Sequence, residues 1–213
     1  MRGIAAKLGA GTMTLYHYVR TKDDLVALMD DALMGEVLVP DGNLPKSWRG
    51  ALTLIAQRTR VVFMRHPWAL LSMRGVLPGP NGMRHFEQCL AALSSTSLDR
   101  AGKLALLALV DDFVFGHVLR VGEARLQKNK AANAKVTVAF MDYAKRQIET
   151  GMFPETAALF RDVSPSNVSD QVTGFGRDEE RFESGLEALL DGAEGQMRAR
   201  GSSKQGRTRK KGA

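Results

Sequence analysis

Apolar residues recur along this chain three or four positions apart, and nowhere do they alternate with the period of two that marks a half-buried strand. The pattern predicts an all-α fold. Near the start, Ile4, Ala5 and Leu8 fall on one face of a short helix, and Gly9 follows where a helix end needs a residue free to take positive φ. Thr12 is an N-cap candidate for a second helix, in which Leu15 and Val19 are four apart and point inward. That leaves Thr12, Met13, Thr14, Tyr16, His17, Tyr18 and Lys22 to face outward.

Further on, Leu25, Leu28, Met29, Leu33 and Val37 predict an amphipathic helix over 22–38, ended by the Pro/Gly/Asn-rich break at 40–45. Ser47 caps a helix to about Arg65, with Trp48, Leu52, Ile55 and Val62 inside, and His66-Pro67 stops it. A short helix at 68–73, a loop at 76–82 and a helix at 83–94 through Phe86, Leu90 and Leu93 come next. Residues 98–127 form the longest predicted helix, apolar on most sides and therefore expected to be buried on most sides. Val138, Met141, Tyr143 and Ile148 mark a helix over 131–150, and 153–160 a short one. A polar, mobile loop is expected at 163–176, then a last helix over 178–199 carrying Phe182, Leu186, Leu189, Ala193 and Met197. The expected division is a head with its linking helix at 1–39, a helical body at 46–200, and a basic disordered tail at 201–213.

Composition narrows the picture. A chain of 213 residues with 44% hydrophobic residues can bury a substantial core. No stretch approaches the roughly 18 apolar residues of a membrane span, because Asp111, Asp112 and Arg120 interrupt the best candidate. No secretory signal precedes the head. The single cysteine, Cys89, excludes an internal disulfide and a cysteine-based zinc site. A soluble, cytoplasmic protein with no membrane partner is expected. Much of the net charge of +7 sits in the tail, where Lys204, Arg207, Arg209, Lys210 and Lys211 face no acid. Such a tail either attracts polyanions without regard to sequence or simply keeps the chain end solvated.

Two helices joined by a tight turn containing Gly have helix-turn-helix geometry, whose second helix fits a DNA major groove. The residues carry a resemblance as well. Arg2-x-Ile-Ala-x-x-Leu-Gly, Gly11-Thr-x-x-Leu-Tyr-x-Tyr-Val and Lys22-x-x-Leu resemble the DNA-binding head of the TetR (tetracycline-repressor-like) regulators over residues 1–34. The resemblance implies that Thr12, Met13 and Thr14 meet base edges, that Tyr16 and Lys22 meet phosphates, and that His17 and Tyr18 add contacts. Hydroxyls, a thioether and a point charge suit those tasks. In the family a further helix precedes the position of Met1 and closes the head, so the chain is expected to lack that first helix. Two helices alone make a poor core.

The body resembles the same family through Asp112-Phe-x-x-Gly-x-Val-Leu and Arg181-Phe-x-x-Gly-Leu-x-x-Leu-Leu-x-Gly. This implies a tetracycline-repressor-type C-terminal domain, in which two helices pair with their copies in a homodimer. It also places Asp112 and Gln88 at polar ligand positions, with Trp68, Phe86, Phe113 and His117 as aromatic wall. Asp112 either meets a small-molecule effector or faces solvent or an arginine. No metal is implied: His85 and Cys89 stand four apart but lack further ligands at a suggestive spacing. No cofactor motif or catalytic constellation is present in the sequence, so no enzyme is expected. The expected function is ligand-responsive transcriptional regulation on a double-stranded DNA operator, most simply repression. The rivals are a DNA-independent helical dimer that binds a ligand or protein, and a helical enzyme using Asp112.

Overall fold

The computed structural model describes residues 1–72, 79–126, 130–159, 161 and 178–209. Every regular element among them is helical: α1 Arg2–Lys7, α2 Thr12–Tyr18, α3 Lys22–Val37, α4 Trp48–Arg65, α5 Ala69–Ser72, α6 Pro80–Ala92, α7 Arg100–Leu126, α8 Lys130–Glu149, α9 Pro154–Leu159 and α10 Asp178–Arg209. The all-α expectation holds.

In the head, Gly9 takes the left-handed conformation (φ 64°) and lets the chain reverse between α1 and α2. Gly11, not Thr12, is the N-cap of α2, so Thr12 opens the helix itself. Ala5, Leu15 and Val19 form a small buried cluster, with Met1 and Leu25 against it. Ile4 and Leu8 do not join it and are 38% and 65% exposed. Ile4 lies about 100° round the helix from Ala5, and Leu8, the cap residue beyond α1, about 60° on the same side.

Immediately after α2, Thr21 starts α3 with a capping box. Its hydroxyl accepts from the Asp24 amide at 3.0 Å, and its own amide donates to the Asp24 carboxylate at 2.9 Å. Leu33 and Val37 are buried as their spacing predicts. Leu28 and Met29 are exposed, because the packed stripe of α3 runs through Asp30, Leu33, Met34 and Val37. The carboxylate in the middle of that stripe hides it from a hydrophobicity pattern.

Helices α3, α4 and α6 pack on one another. The end of α3 is held from several sides. Arg58 donates to the Val37 carbonyl (2.8 Å) and the Glu36 carbonyl (2.9 Å), and Arg65 pairs with the Glu36 carboxylate at 2.9 Å. Ser47 caps α4 by accepting from the Gly50 amide. Helix α6 begins at Pro80, inside the stretch expected to be a loop. Pro at the first helical position needs no amide partner, and the Asp31 carboxylate of α3 accepts from the Asn81 and Gly82 amides at 2.9 and 3.1 Å. A Cβ at Gly79 would collide with that carboxylate. Helix α7 buries Leu106, Leu107, Val110, Val114 and Val118, but Leu104 and Leu109 are 41% and 50% exposed, so it is not buried on most sides. The cause is the stripe itself: one face at three-to-four spacing is covered and its flanks are not.

The chain divides into two compact units, residues 1–118 with 188–213, and residues 119–187. In the second, α8 and α9 pack together, Val121, Phe182 and Leu186 are buried, and Tyr143 is exposed rather than inward. In the first, Arg49 of α4 pairs with Asp191 of α10 at 2.6 Å. At 32 residues α10, not α7, is the longest of these helices, and it continues through 201–209, where a disordered tail is expected from sequence. No proline interrupts it, and glycine costs a helix only about 1 kcal/mol. The expected loop at 163–176 and the last residues of the tail lie outside the described residues, as does Met73. No described helix is long and apolar enough to cross a membrane.

Candidate functional site

Helix α2 presents one buried side, Leu15 and Val19, and leaves the rest open. Met13, Thr14, Tyr16, His17, Tyr18 and Lys22 are exposed and Thr12 is half-buried. Met13 and Tyr18 are 80% and 78% exposed, an unusual display of large side chains with nothing of their own chain to cover. His17 and Tyr18 meet edge to face, their ring centroids 5.3 Å apart. All seven residues singled out from the sequence therefore lie on or beside one short helix, accessible to a groove.

The body holds a cavity of about 580 Å³ between four helices. Helix α3 supplies Ala27, Asp30, Asp31 and Met34; α4 supplies Thr59 and Phe63; α6 supplies Gly82, Met83, His85 and Phe86; α7 supplies Asp111 and Phe115. Phe63 and Phe115 pack at 5.0 Å between centroids and form an aromatic corner. Its size suits a drug-sized organic molecule, and an apolar wall with few polar groups is the usual make-up of such a site.

Those polar groups are unusual. Asp30 is 5% exposed, accepts from the Ser72 hydroxyl at 2.6 Å through Oδ1, and has no partner for Oδ2 among the described residues. His85 Nδ1 likewise has none, and burial lowers the imidazole pKa. His85 Nε2 lies 3.7 Å from Cys89 Sγ, whose thiol is pushed up to about 12 by burial and then by the Asp111 carboxylate. Such a thiol is neutral at pH 7 and a poor nucleophile. Asp111 itself, crowded by its neighbours though open to solvent on one side, is pushed up to about 6 by desolvation and by the adjacent Asp112.

Of the six body residues singled out from the sequence, Phe86 lines this cavity. Asp112 is exposed and points elsewhere, its place taken by Asp111, and Phe113 is replaced by Phe115. Adjacent positions on a helix differ by about 100°, so a slip of one residue exchanges wall for surface. Gln88 clamps the chain after α3, accepting from the Val39 amide at 3.1 Å and donating to the Val39 carbonyl at 2.7 Å. His117 is buried and accepts from Arg60 Nε at 3.2 Å. Trp68 is 40% exposed and stacks edgewise on His66. Asp30, Asp31, Thr59 and Phe63 are not marked out by the sequence, and His85 stands out there only as a metal-ligand candidate; a carboxylate interrupting an apolar stripe is the one available signal.

An exposed short helix after a glycine turn, joined by a continuous helix to the wall of an organic-sized cavity, is the arrangement expected of a ligand-responsive transcription regulator. Residues 40–197 match the family described as "Tetracyclin repressor-like, C-terminal domain", and the chain belongs to that family of regulators. It is 29% identical over 201 residues to the HTH-type transcriptional repressor DrrR1 of Streptomyces coeruleorubidus, covering 91% of this chain and 69% of the relative. It is 40% identical over 119 residues to an HTH-type transcriptional regulator of Saccharopolyspora erythraea, covering 55% of this chain and 50% of the relative. Its fold is similar to that of the Streptomyces coelicolor TetR family protein ActR, solved in complex with actinorhodin. The TM-score is 0.63 at 25% identity, over 92% of this chain and 87% of that one.

Proposed function

We propose that the protein is a homodimeric repressor whose α2 helices read a two-part operator and whose cavity takes a small organic effector that releases the DNA. Thr12, Met13 and Thr14 address base edges, while Tyr16, Lys22, His17 and Tyr18 hold phosphates and sugars. One observation carries the reading. Helix α3 begins three residues beyond the buried Val19 that ends the reading helix, and four of its own residues line the cavity. A molecule entering the cavity therefore bears on the element that positions the reader. Any difference in its affinity for the two placements of α3 becomes a difference in DNA affinity.

The homodimer is supported by a second apolar depression of about 250 Å³ between α7 and α10, lined by Leu106, Leu109, Leu189, Gly192 and Met197 among others. A two-fold assembly supplies the two readers that a pseudo-palindromic site requires. The relative bound to actinorhodin supports an organic effector here. The working division is a head with linking helix at 1–39 and an effector and dimerisation body at 46–200.

The test is fluorescence anisotropy on DNA fragments flanking the protein's own coding sequence. Tyr16→Ala is expected to weaken binding to the specific fragment on the order of tenfold, and Lys22→Ala to reduce the salt-dependence slope by about 1. Absence of specific binding to any such fragment, with the wild-type chain folded, would overturn the reading.

A further inference from the structure

We infer that the effector is a cation: an organic molecule with a flat or bulky apolar body carrying a protonated amine or a similar positive group. The inference rests on the cavity being the effector site and assigns the chemistry of its occupant.

The charge of the wall is one-sided. Asp30, Asp31 and Asp111 line the cavity, and neither lysine nor arginine does among the described residues. Asp31 is already engaged, since both its oxygens accept from Asn81 or Gly82 at the start of α6. Asp30 is different. It is 95% buried, and a single hydroxyl, that of Ser72, answers one of its two oxygens among the described residues. A carboxylate so placed carries a desolvation penalty that one neutral hydrogen bond does not offset. His85 cannot supply the missing charge, because burial favours its neutral form. Asp111 adds a second negative group, already repelled by Asp112 beside it. A bound cation would offset the Asp30 penalty and the Asp111–Asp112 repulsion together. Phe63, Phe86 and Phe115 make the wall aromatic, the kind of surface that accepts a flat ring and attracts a cation. An anion would meet the repulsion of three carboxylates, with no fixed positive charge among the described lining residues to offset it. A neutral ligand could donate a hydrogen bond to Asp30 but would leave its charge unbalanced.

The experiment titrates the full chain, without DNA, with three tricyclic probes of similar shape. These are 9-aminoacridine (a cation at neutral pH), 9-anthracenemethanol (neutral) and anthracene-9-carboxylate (an anion), followed by fluorescence. The expected order is cation, neutral, anion, with the cation ahead of the anion by on the order of a hundredfold. Asp30→Asn keeps an oxygen for Ser72 and is expected to weaken the cation about tenfold or more while moving the neutral probe by less than about threefold. Asp111→Asn, at the open rim where folding is not at risk, is expected to weaken the cation in the same sense by a smaller factor. Equal or inverted affinities among the three probes, or unchanged cation preference in both variants, would overturn the proposal while leaving the cavity a ligand site. Failure of every probe to bind, or binding unaffected by a cavity-filling Met34→Trp, would overturn the effector-site reading and this inference with it.

Discussion

Asp111 stands next to a second carboxylate on α7 and partly out of water, and the two effects together raise its pKa to about 6 from an ordinary value of 3.8. A carboxyl whose folded-state pKa lies above its unfolded value favours the fold when protonated. Its contribution is present below pH 3.8 and is lost as pH rises through about 6. Asp111→Asn removes that loss. It is expected to raise the melting temperature at pH 7.5, with a gain of about 1 kcal/mol after allowance for the group's contact with solvent, and to give no gain at pH 4. Thermal melts of both proteins at the two pH values check this. Residue by residue, the head was far more legible than the body. Met13 and Tyr16 could be read as outward from sequence because a seven-residue helix whose inward side is Leu15, with Val19 at its end, leaves little choice for the rest. Asp111 and Asp112 are chemically identical neighbours, and no pattern within α7 says which one looks into a cavity whose other walls come from α3, α4 and α6.

At the level of helices, period and punctuation sufficed wherever the signals were local. Ser47 starts α4, His66-Pro67 ends it, and Gly9 turns α1 away from α2, all as read from the chain. The start of α6 was not local. Its cap is the carboxylate of Asp31, about fifty positions away, and a Gly-Pro-Asn-Gly string without that partner reads as a turn. The stripe of α3 was misjudged for a related reason, since its central member is Asp30. The contact between Asp31 and α6 also ties the linking helix to a cavity wall. Asp31→Ala is expected to cost about 1–2 kcal/mol of stability, as the loss of a capping carboxylate does. Because the same contact holds α3 in register with α6, the variant's DNA affinity should respond less to effector than the wild type's. A comparison of anisotropy titrations with and without saturating 9-aminoacridine, alongside a denaturant melt, reads both effects. An Asp31→Ala protein with wild-type stability and wild-type response would refute the assignment.

At the scale of the whole molecule, the proposed function calls for a second copy of the chain. Leu109 is half exposed on α7 and lines the apolar depression shared with α10, as does Gly192, where a side chain would meet nothing of its own chain within 4 Å. Leu109→Glu is expected to weaken self-association by at least about a hundredfold, because it places an unpaired carboxylate in a covered apolar surface. Light scattering after gel filtration would show a monomer, and specific DNA binding would fall with it. A dimer that persists unchanged would mean that the two copies meet on another face. Overall fold class and family were readable from periodicity and two short motifs. The location of the chamber was not, because a chamber is a property of four helices at once.

The way α3 is fastened has a further consequence. Its far end is gripped at Glu36, Val37 and, just beyond, Val39 by Arg58, Arg65 and Gln88, whereas its near end carries its own Thr21–Asp24 cap and the packing of Leu25 on the small head cluster. Were it to act as a lever, its fulcrum would lie by Val37. At the rise of an α-helix, Asp30 lies about 10 Å from that fulcrum and Lys22 about 22 Å. A sideways push at Asp30 is therefore magnified about twofold at the reader. In the proposed symmetric pair the two arms would swing in opposite senses, so an effector that displaced the wall by a fraction of an ångström would change the span between the proposed readers by several times as much.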